Sequence, residues 1–138
     1  MPTPAPSAET AQAPSAEHIL AQMRETLGEV PAAIEKSVSA DPTLIFEHAR
    51  SKGYAMPPEG GALSNETRTL IYLAVALATS NHACAQVMLK KARTEDISSQ
   101  KLLEAFRIAR LAQATAVLGN AEPLFDLVNE RNNGLAGR

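Results

Sequence analysis

The chain has 138 residues, which fits one domain that can bury about two-thirds of the surface of its unfolded form. Its formal net charge is −2 and its basic residues are scattered, so nucleic acid is not expected as a partner. A single cysteine excludes both an intrachain disulfide framework and a metal site built on a C-x-x-C pair. The most apolar run, Leu70–Ala78, is far shorter than the ~20 residues that span a bilayer, and the N-terminus lacks the pattern of a secretory signal. We therefore expect a cytoplasmic protein without membrane contact.

The N-terminal half is predicted to hold a tail and three helices. Residues 1–14 have no large apolar side chain after Met1, and such a segment is typical of a disordered tail. Capping residues, first-turn prolines and terminal glycines then mark the ends of helices. The predicted limits are Ser15 to Gly28, Pro31 to Ala40, and Asp41 to Gly53. Residues 54–63 contain two prolines and two glycines, which indicates a loop.

The centre of the chain is predicted to be a helical hairpin. Ser64 can cap a helix whose residues Leu70–Ala78 are apolar on every side, and we expect this run to be buried all round. Thr79–Asn81 are poor residues for the middle of a helix, because their side chains compete for backbone N–H groups. The pattern therefore predicts that one helix ends near residue 78 and that Asn81 is the N-cap of the next.

The predicted break places the only cysteine near the start of a helix. With Asn81 as the N-cap, Cys84 is the third helical residue, among backbone N–H groups and near the positive end of the helix dipole. Such surroundings favour the thiolate, which is the reactive form. Met88 lies one turn further on, on the same face. The alternative is that Cys84 is a small apolar side chain in a helix interface, as most unpaired cysteines are.

The last part of the chain indicates self-association. Ser98 can cap a long helix that ends at Gly119, and residues 122–132 are predicted to form a shorter helix. The polar stripe of the long helix is narrow, so its apolar face is wider than one small core needs. This face and the apolar central helix predict a homo-oligomer: a dimer, a trimer or a hexamer. No segment alternates with period two, so the predicted fold is all-α, with one domain over residues 15–132 and a frayed tail over residues 133–138.

The order of these elements resembles a known family. The run LSNETRTLIYLAVALATSNHACAQVMLKKA, the segment Ser98–Ala112, and the upstream LGEVPAAIEKSVSADPTLIFEHA are similar to the carboxymuconolactone decarboxylase family, which includes the AhpD-type alkylhydroperoxidases. The resemblance extends over about residues 19 to 128. It implies an oligomeric AhpD-like helical domain with a helical hairpin at its centre.

The resemblance also implies where an active site would lie. Redox-active members carry a Glu, then a C-x-x-C twelve residues later, then a His four residues beyond the second cysteine. The second thiolate attacks peroxide or disulfide, the first cysteine resolves the product, and Glu and His relay the proton. In this chain the four positions hold Thr69, Asn81, Cys84 and Met88, so only the attacking cysteine is present. Glu66, one turn before Thr69, either replaces the acid in part or is an exposed first-turn carboxylate favoured by the helix dipole.

Three functions follow as alternatives. The first is a thiol-dependent peroxidase of the peroxiredoxin type that uses Cys84 and a small thiol or protein reductant. The second is a catalytically inactive member that acts as an oligomeric binding or scaffold protein. The third is a small-acid lactone decarboxylase that uses His82, because decarboxylases of the family have a histidine within two positions of the first cysteine site. His82, Cys84 and Met88 are also soft ligands of the types that suit copper, but their spacing is no recognised metal signature. No metal or cofactor is therefore predicted.

Overall fold

The computed structural model describes residues 13–137, and these residues form helices without any strand, which confirms the predicted all-α fold. The helices are α1 (Ala16–Leu27), α2 (Ala32–Ala40), α3 (Thr43–Ala55), α4 (Asn65–Ala78), α5 (His82–Thr94), α6 (Ser99–Asn120) and α7 (Glu122–Ala136). The predicted tail lies outside the described residues up to residue 12. The chain divides after Pro57 into two compact units. A single domain over residues 15–132 stays a prediction.

The first unit is built from α1, α2 and α3. The core is a cluster of four buried apolar side chains: Ile19, Met23, Val30 and Ile45. Ser15 caps α1 by accepting the N–H of His18 at 3.2 Å, and Gly28 ends it with a φ of +80°, both as predicted.

The start of α3 follows the prediction, whereas its end does not. Asp41 Oδ1 accepts the N–H of Thr43 at 2.9 Å and the hydroxyl of the same residue at 2.7 Å, and these two bonds hold the pKa of Asp41 below its usual value. The predicted stop at Gly53 is wrong. The helix continues to Ala55, because the Met56 N–H donates to the Lys52 carbonyl at 2.7 Å and extends the ladder past the glycine.

The second unit contains the predicted hairpin, with α5 and α6 both packed against α4. Its core is a cluster of Leu73, Ala76, Ala85 and Met88. The predicted caps of α4 and α6 are confirmed: Ser64 Oγ accepts the Thr67 N–H at 3.1 Å, and Ser98 Oγ accepts the Lys101 N–H at 3.3 Å. At the far end of α4, the Gln113 side chain donates a hydrogen bond to the carbonyl of Ala78.

Two expectations about burial and length need correction. Within the chain, the run Leu70–Ala78 is not buried all round: Ile71 is 49% exposed and Val75 is 55% exposed, because α5 and α6 cover only part of the surface of α4. At the C-terminus, α7 continues to Ala136 and so includes residues 133–136 of the predicted frayed tail. Asparagine and glycine lower helix propensity by no more than about 1 kcal/mol each, and no proline interrupts the hydrogen-bond ladder there.

The hairpin turn explains why a new helix starts at Asn81. Ser80 has a φ of +57°, and the Asn81 N–H donates to the Ala76 carbonyl at 2.8 Å, while the Ser80 N–H reaches the Leu77 carbonyl at 3.4 Å. These two bonds make a Schellman motif that closes α4. The chain has reversed its direction at this point. Asn81 is therefore both the last residue of the Schellman motif and the N-cap of α5.

Candidate functional site

The cysteine lies where the sequence pattern places it, in the first turn of α5. Asn81 Oδ1 accepts the N–H of Cys84 at 3.2 Å, which confirms Asn81 as the N-cap. The thiol is free and half-buried. The first-turn N–H groups of α5 and its partial positive charge are therefore close to the sulfur of a half-buried residue.

A tyrosine on the neighbouring helix contacts the sulfur, and sequence reasoning missed it. Tyr72 Oη donates a hydrogen bond to Cys84 Sγ, at an oxygen–sulfur distance of 3.4 Å. The hydrogen bond to Cys84, partial burial and the charge of the sulfur all raise the pKa of Tyr72 above its ordinary value of about 10. Tyr72 therefore keeps its proton at neutral pH and remains a donor. The available signal was its position three residues after Thr69, which puts both side chains toward α5.

Two of the positions that hold Glu and His in redox-active members have structural roles in this chain. Met88 is 8% exposed and packs in the core cluster of the hairpin, so no group that could carry a proton stands there. Thr69 is fully buried, and its hydroxyl donates to Glu95 Oε2 at 2.9 Å. Glu95 Oε1 in turn pairs with Lys91 Nζ at 3.4 Å. A carboxylate from the end of α5 is thus tied to the helix position where the family has its own acid.

The remaining candidate residues lie apart from this contact. Glu66, in the first turn of α4, forms an ion pair with Lys101 of α6. Its role as a replacement acid stays a prediction, as does the role of His82 in a decarboxylase. His82 is the first residue of α5 and is exposed, whereas Met88 is buried, so two of the three side chains of copper-ligand type have opposite surroundings. Among residues 13–137, no group of three or more His, Cys, Asp or Glu side chains is arranged to hold a metal ion.

A shallow groove of about 220 Å³ lies between α4 and α6. Its wall is mostly apolar, with the charged Lys101 and Glu104 at its edge. The lining residues are Thr67, Leu70, Ile71, Ala74, Lys101, Glu104, Ala105 and Ile108. Neither Cys84 nor His82 lines it, so the sulfur and the groove are separate features of the unit.

The arrangement is that of a single nucleophile. A sulfur with a hydroxyl donor on one side and helix N–H groups below it can react with a small electrophile. Because the chain has one cysteine, a sulfenic acid on this sulfur must be reduced by a thiol from outside the chain.

Comparison with known proteins agrees with the resemblance seen in the sequence. Residues 46–126, more than half of the chain, match the profile described as "Carboxymuconolactone decarboxylase family". No curated protein matches the chain. None of the described helices is long and apolar enough to cross a membrane.

Proposed function

Because the chain belongs to the carboxymuconolactone decarboxylase family, we propose that it is a thiol-dependent peroxidase of the peroxiredoxin type that acts through Cys84 alone. The observation that supports this most is the 3.4 Å contact in which Tyr72 Oη donates to Cys84 Sγ. A hydrogen bond from a neutral donor stabilises the charged thiolate more than the thiol, and the thiolate is the nucleophile. The N–H groups of the first turn of α5 act in the same direction.

The reaction needs one hydroperoxide and two external thiols. The Cys84 thiolate attacks one peroxide oxygen, and the O–O bond breaks to leave a sulfenic acid and an alkoxide. The alkoxide takes a proton from Tyr72 or from water and leaves as the alcohol; Tyr72 regains its proton from solvent. A first thiol condenses with the sulfenic acid, releasing water and forming a mixed disulfide. A second thiol attacks this bond, so that the reductant leaves as its disulfide and Cys84 returns to the thiolate.

Two further proposals concern the cellular location and the assembly of the chain. We propose a cytoplasmic location, because the cytosol keeps thiols reduced and so supplies the electrons that a single-cysteine cycle consumes. We also propose that the chain works as a homo-oligomer. The support is the large number of exposed apolar side chains on α4, α6 and α7, such as Val75 (55%), Leu111 (66%) and Leu124 (57%).

The test is peroxide consumption in the presence of excess small thiol. We expect turnover with the wild-type chain and none with Cys84→Ser. Dimedone, which traps sulfenic acids, should add once to the peroxide-treated wild-type chain and not to Cys84→Ser. Peroxide also oxidises methionine, which raises the mass of the chain by one oxygen, as a sulfenic acid does. The Cys84→Ser chain has the same four methionines and therefore measures this background. Equal turnover by Cys84→Ser and the wild type would rule out the proposal.

A second candidate, an inactive member that binds or scaffolds, is favoured by one observation. The positions of the family's Glu and His are occupied by the buried Thr69 and Met88, which contribute to packing instead of proton transfer. The two candidates differ in the reactivity of the sulfur. If Cys84 in the folded chain reacts with peroxide no faster than in the urea-unfolded chain, the result favours the second candidate over the peroxidase.

A further inference from the structure

The last helix has no tertiary burial of its own. No residue of α7 is buried, although the helix is 15 residues long. Four of its apolar side chains, Leu124, Leu127, Val128 and Leu135, form one stripe on a single helix face, which also holds Arg131. An isolated helix of about 12–15 residues is marginal in water. A surface that covers this stripe would therefore stabilise α7.

The preceding helix has an uncovered face as well. The two buried residues of α6, Ala105 and Ala109, lie in its first half, so no residue from Arg110 to Asn120 is buried. Leu111 and Leu118, which are 66% and 61% exposed, are seven residues apart and share one face. Val117, 69% exposed, lies next to that face.

We define the α6–α7 surface by the large apolar side chains that are exposed from residue 110 onward. They are Leu111, Val117, Leu118, Leu124, Phe125, Leu127, Val128 and Leu135, and each is 44–71% exposed. At roughly 100 Å² of exposed area each, they offer about 800 Å² per chain, which is the area that each partner contributes to a standard interface.

The charges of α7 decide between a lipid surface and a protein. Glu122, Asp126 and Glu130 are four residues apart and line the face opposite the apolar stripe. A helix that lies on a membrane instead carries Lys and Arg on its polar face, since these attract anionic headgroups. An acidic outer face suits a helix whose apolar stripe packs on protein while its charges stay in water.

We propose that the α6–α7 surface binds the same surface of a second copy of this chain, with α7 of each copy packed on the C-terminal half of the partner's α6. The surface area equals what one partner of a stable dimer must supply, and α6 presents an uncovered apolar face of matching length. A two-fold contact uses one patch twice, so a single chain provides both the stripe and the face that receives it. This inference rests on the assembly proposed above and names the surface that forms it.

The test is the mass of the full chain in solution at tens of micromolar, measured by light scattering after size exclusion. We expect the wild type to be a dimer or a multiple of one. Val128→Arg places a charge in the stripe of α7, and Leu118→Arg does so on α6. Each change occurs twice in a two-fold interface, so a tenfold loss per site raises the dissociation constant about 100-fold. Asn133→Arg, on the acidic face of α7, is the matched control and should leave the mass unchanged.

The outcomes separate the surface from the assembly. A monomeric wild type overturns both. An oligomeric wild type whose mass survives Val128→Arg and Leu118→Arg overturns the surface and leaves the assembly standing. Dissociation by Asn133→Arg to the same degree would show a general effect of charge and also overturns the surface. If Val128→Arg fails to fold, Leu135→Arg, near the end of α7 and 71% exposed, is the substitute. Peroxide turnover is a separate readout, because Cys84 lies outside this surface.

Discussion

Replacing Tyr72 with Phe tests whether its hydroxyl activates the sulfur. The ring stays and only the donor to Cys84 Sγ is lost. A hydrogen bond to a charged group contributes about 1.5–3 kcal/mol. Tyr72 is 39% exposed, so the lower end applies. A loss of about 1.5 kcal/mol corresponds to roughly a tenfold change in an equilibrium constant.

The expected change in the alkylation rate is smaller than this tenfold change in thiolate stabilisation. A thiolate that is less stabilised is a stronger nucleophile, which restores roughly a factor of three for a tenfold change. We therefore expect Tyr72→Phe to alkylate about threefold more slowly than the wild type.

The assay is the rate of iodoacetamide alkylation, which reports on Cys84 alone because the chain has no other cysteine. The matched control is Tyr54→Phe, which changes the only other tyrosine, a residue that is 91% exposed. The reasoning is refuted if Tyr72→Phe reacts as fast as Tyr54→Phe, or faster.

The same contact can be measured from the tyrosine side. In a Tyr54→Phe chain, the absorbance of tyrosinate reports on Tyr72 alone, and we expect its midpoint above pH 10, falling toward 10 when Cys84 is replaced by Ala. A pKa raised by folding means that the protonated form is favoured in the folded state. The stabilisation is therefore complete below about pH 10 and is lost as the pH rises through the folded pKa of Tyr72. If the titration midpoint of Tyr72 is the same with and without Cys84→Ala, the contact between Tyr72 and Cys84 is contradicted.

Three further substitutions test the turn and the hairpin. Ser80→Gly should raise the free energy of unfolding by about 1 kcal/mol in urea titrations, because Ser80 holds a φ of +57° that costs other residues more than glycine. Thr69→Val should lower it by about 1–3 kcal/mol, since the buried hydroxyl that donates to Glu95 is lost while the volume is kept; an unchanged value would mean that this bond adds nothing. Asn81→Cys should form a disulfide with Cys84 on peroxide treatment, detected as a loss of two hydrogens by mass spectrometry, because a C-x-x-C pair at a helix start is arranged for this bond.

The parts of the fold that the sequence predicted correctly depend on neighbours in the chain. Ser15, Ser64, Asn81 and Ser98 all cap helices as predicted, because a cap is decided by one side chain and the next three backbone N–H groups. Gly53 shows the limit of the same reasoning. A glycine permits a helix end without requiring one, and here the backbone stays helical for two more residues.

The parts that could not be predicted depend on how α4 and α5 face each other. Tyr72 and Cys84 are twelve residues apart, and their contact requires both the tight turn at Ser80 and the rotation of each helix about its axis. The bond between Thr69 and Glu95 spans 26 residues and has the same origin. Neither pair has a local pattern, because the spacing that brings two side chains together across a hairpin is fixed by packing in the core.

The substitutions at the family's site positions have different consequences for chemistry. At residue 81, asparagine stands in place of the resolving cysteine. Its side-chain oxygen instead caps the helix that holds Cys84. At residue 88, methionine removes the proton carrier and fills the core instead. Among the described residues, the hydroxyl that donates to the sulfur is that of Tyr72, which approaches the half-buried Cys84 from α4. A first reductant thiol must reach the sulfur of this half-buried residue to displace the sulfenic hydroxyl as water, and a second thiol must then reach the mixed disulfide. The proposed cycle accordingly favours a small thiol over a folded protein, and small thiols should reduce the oxidised chain faster than a thioredoxin-type protein at equal thiol concentration.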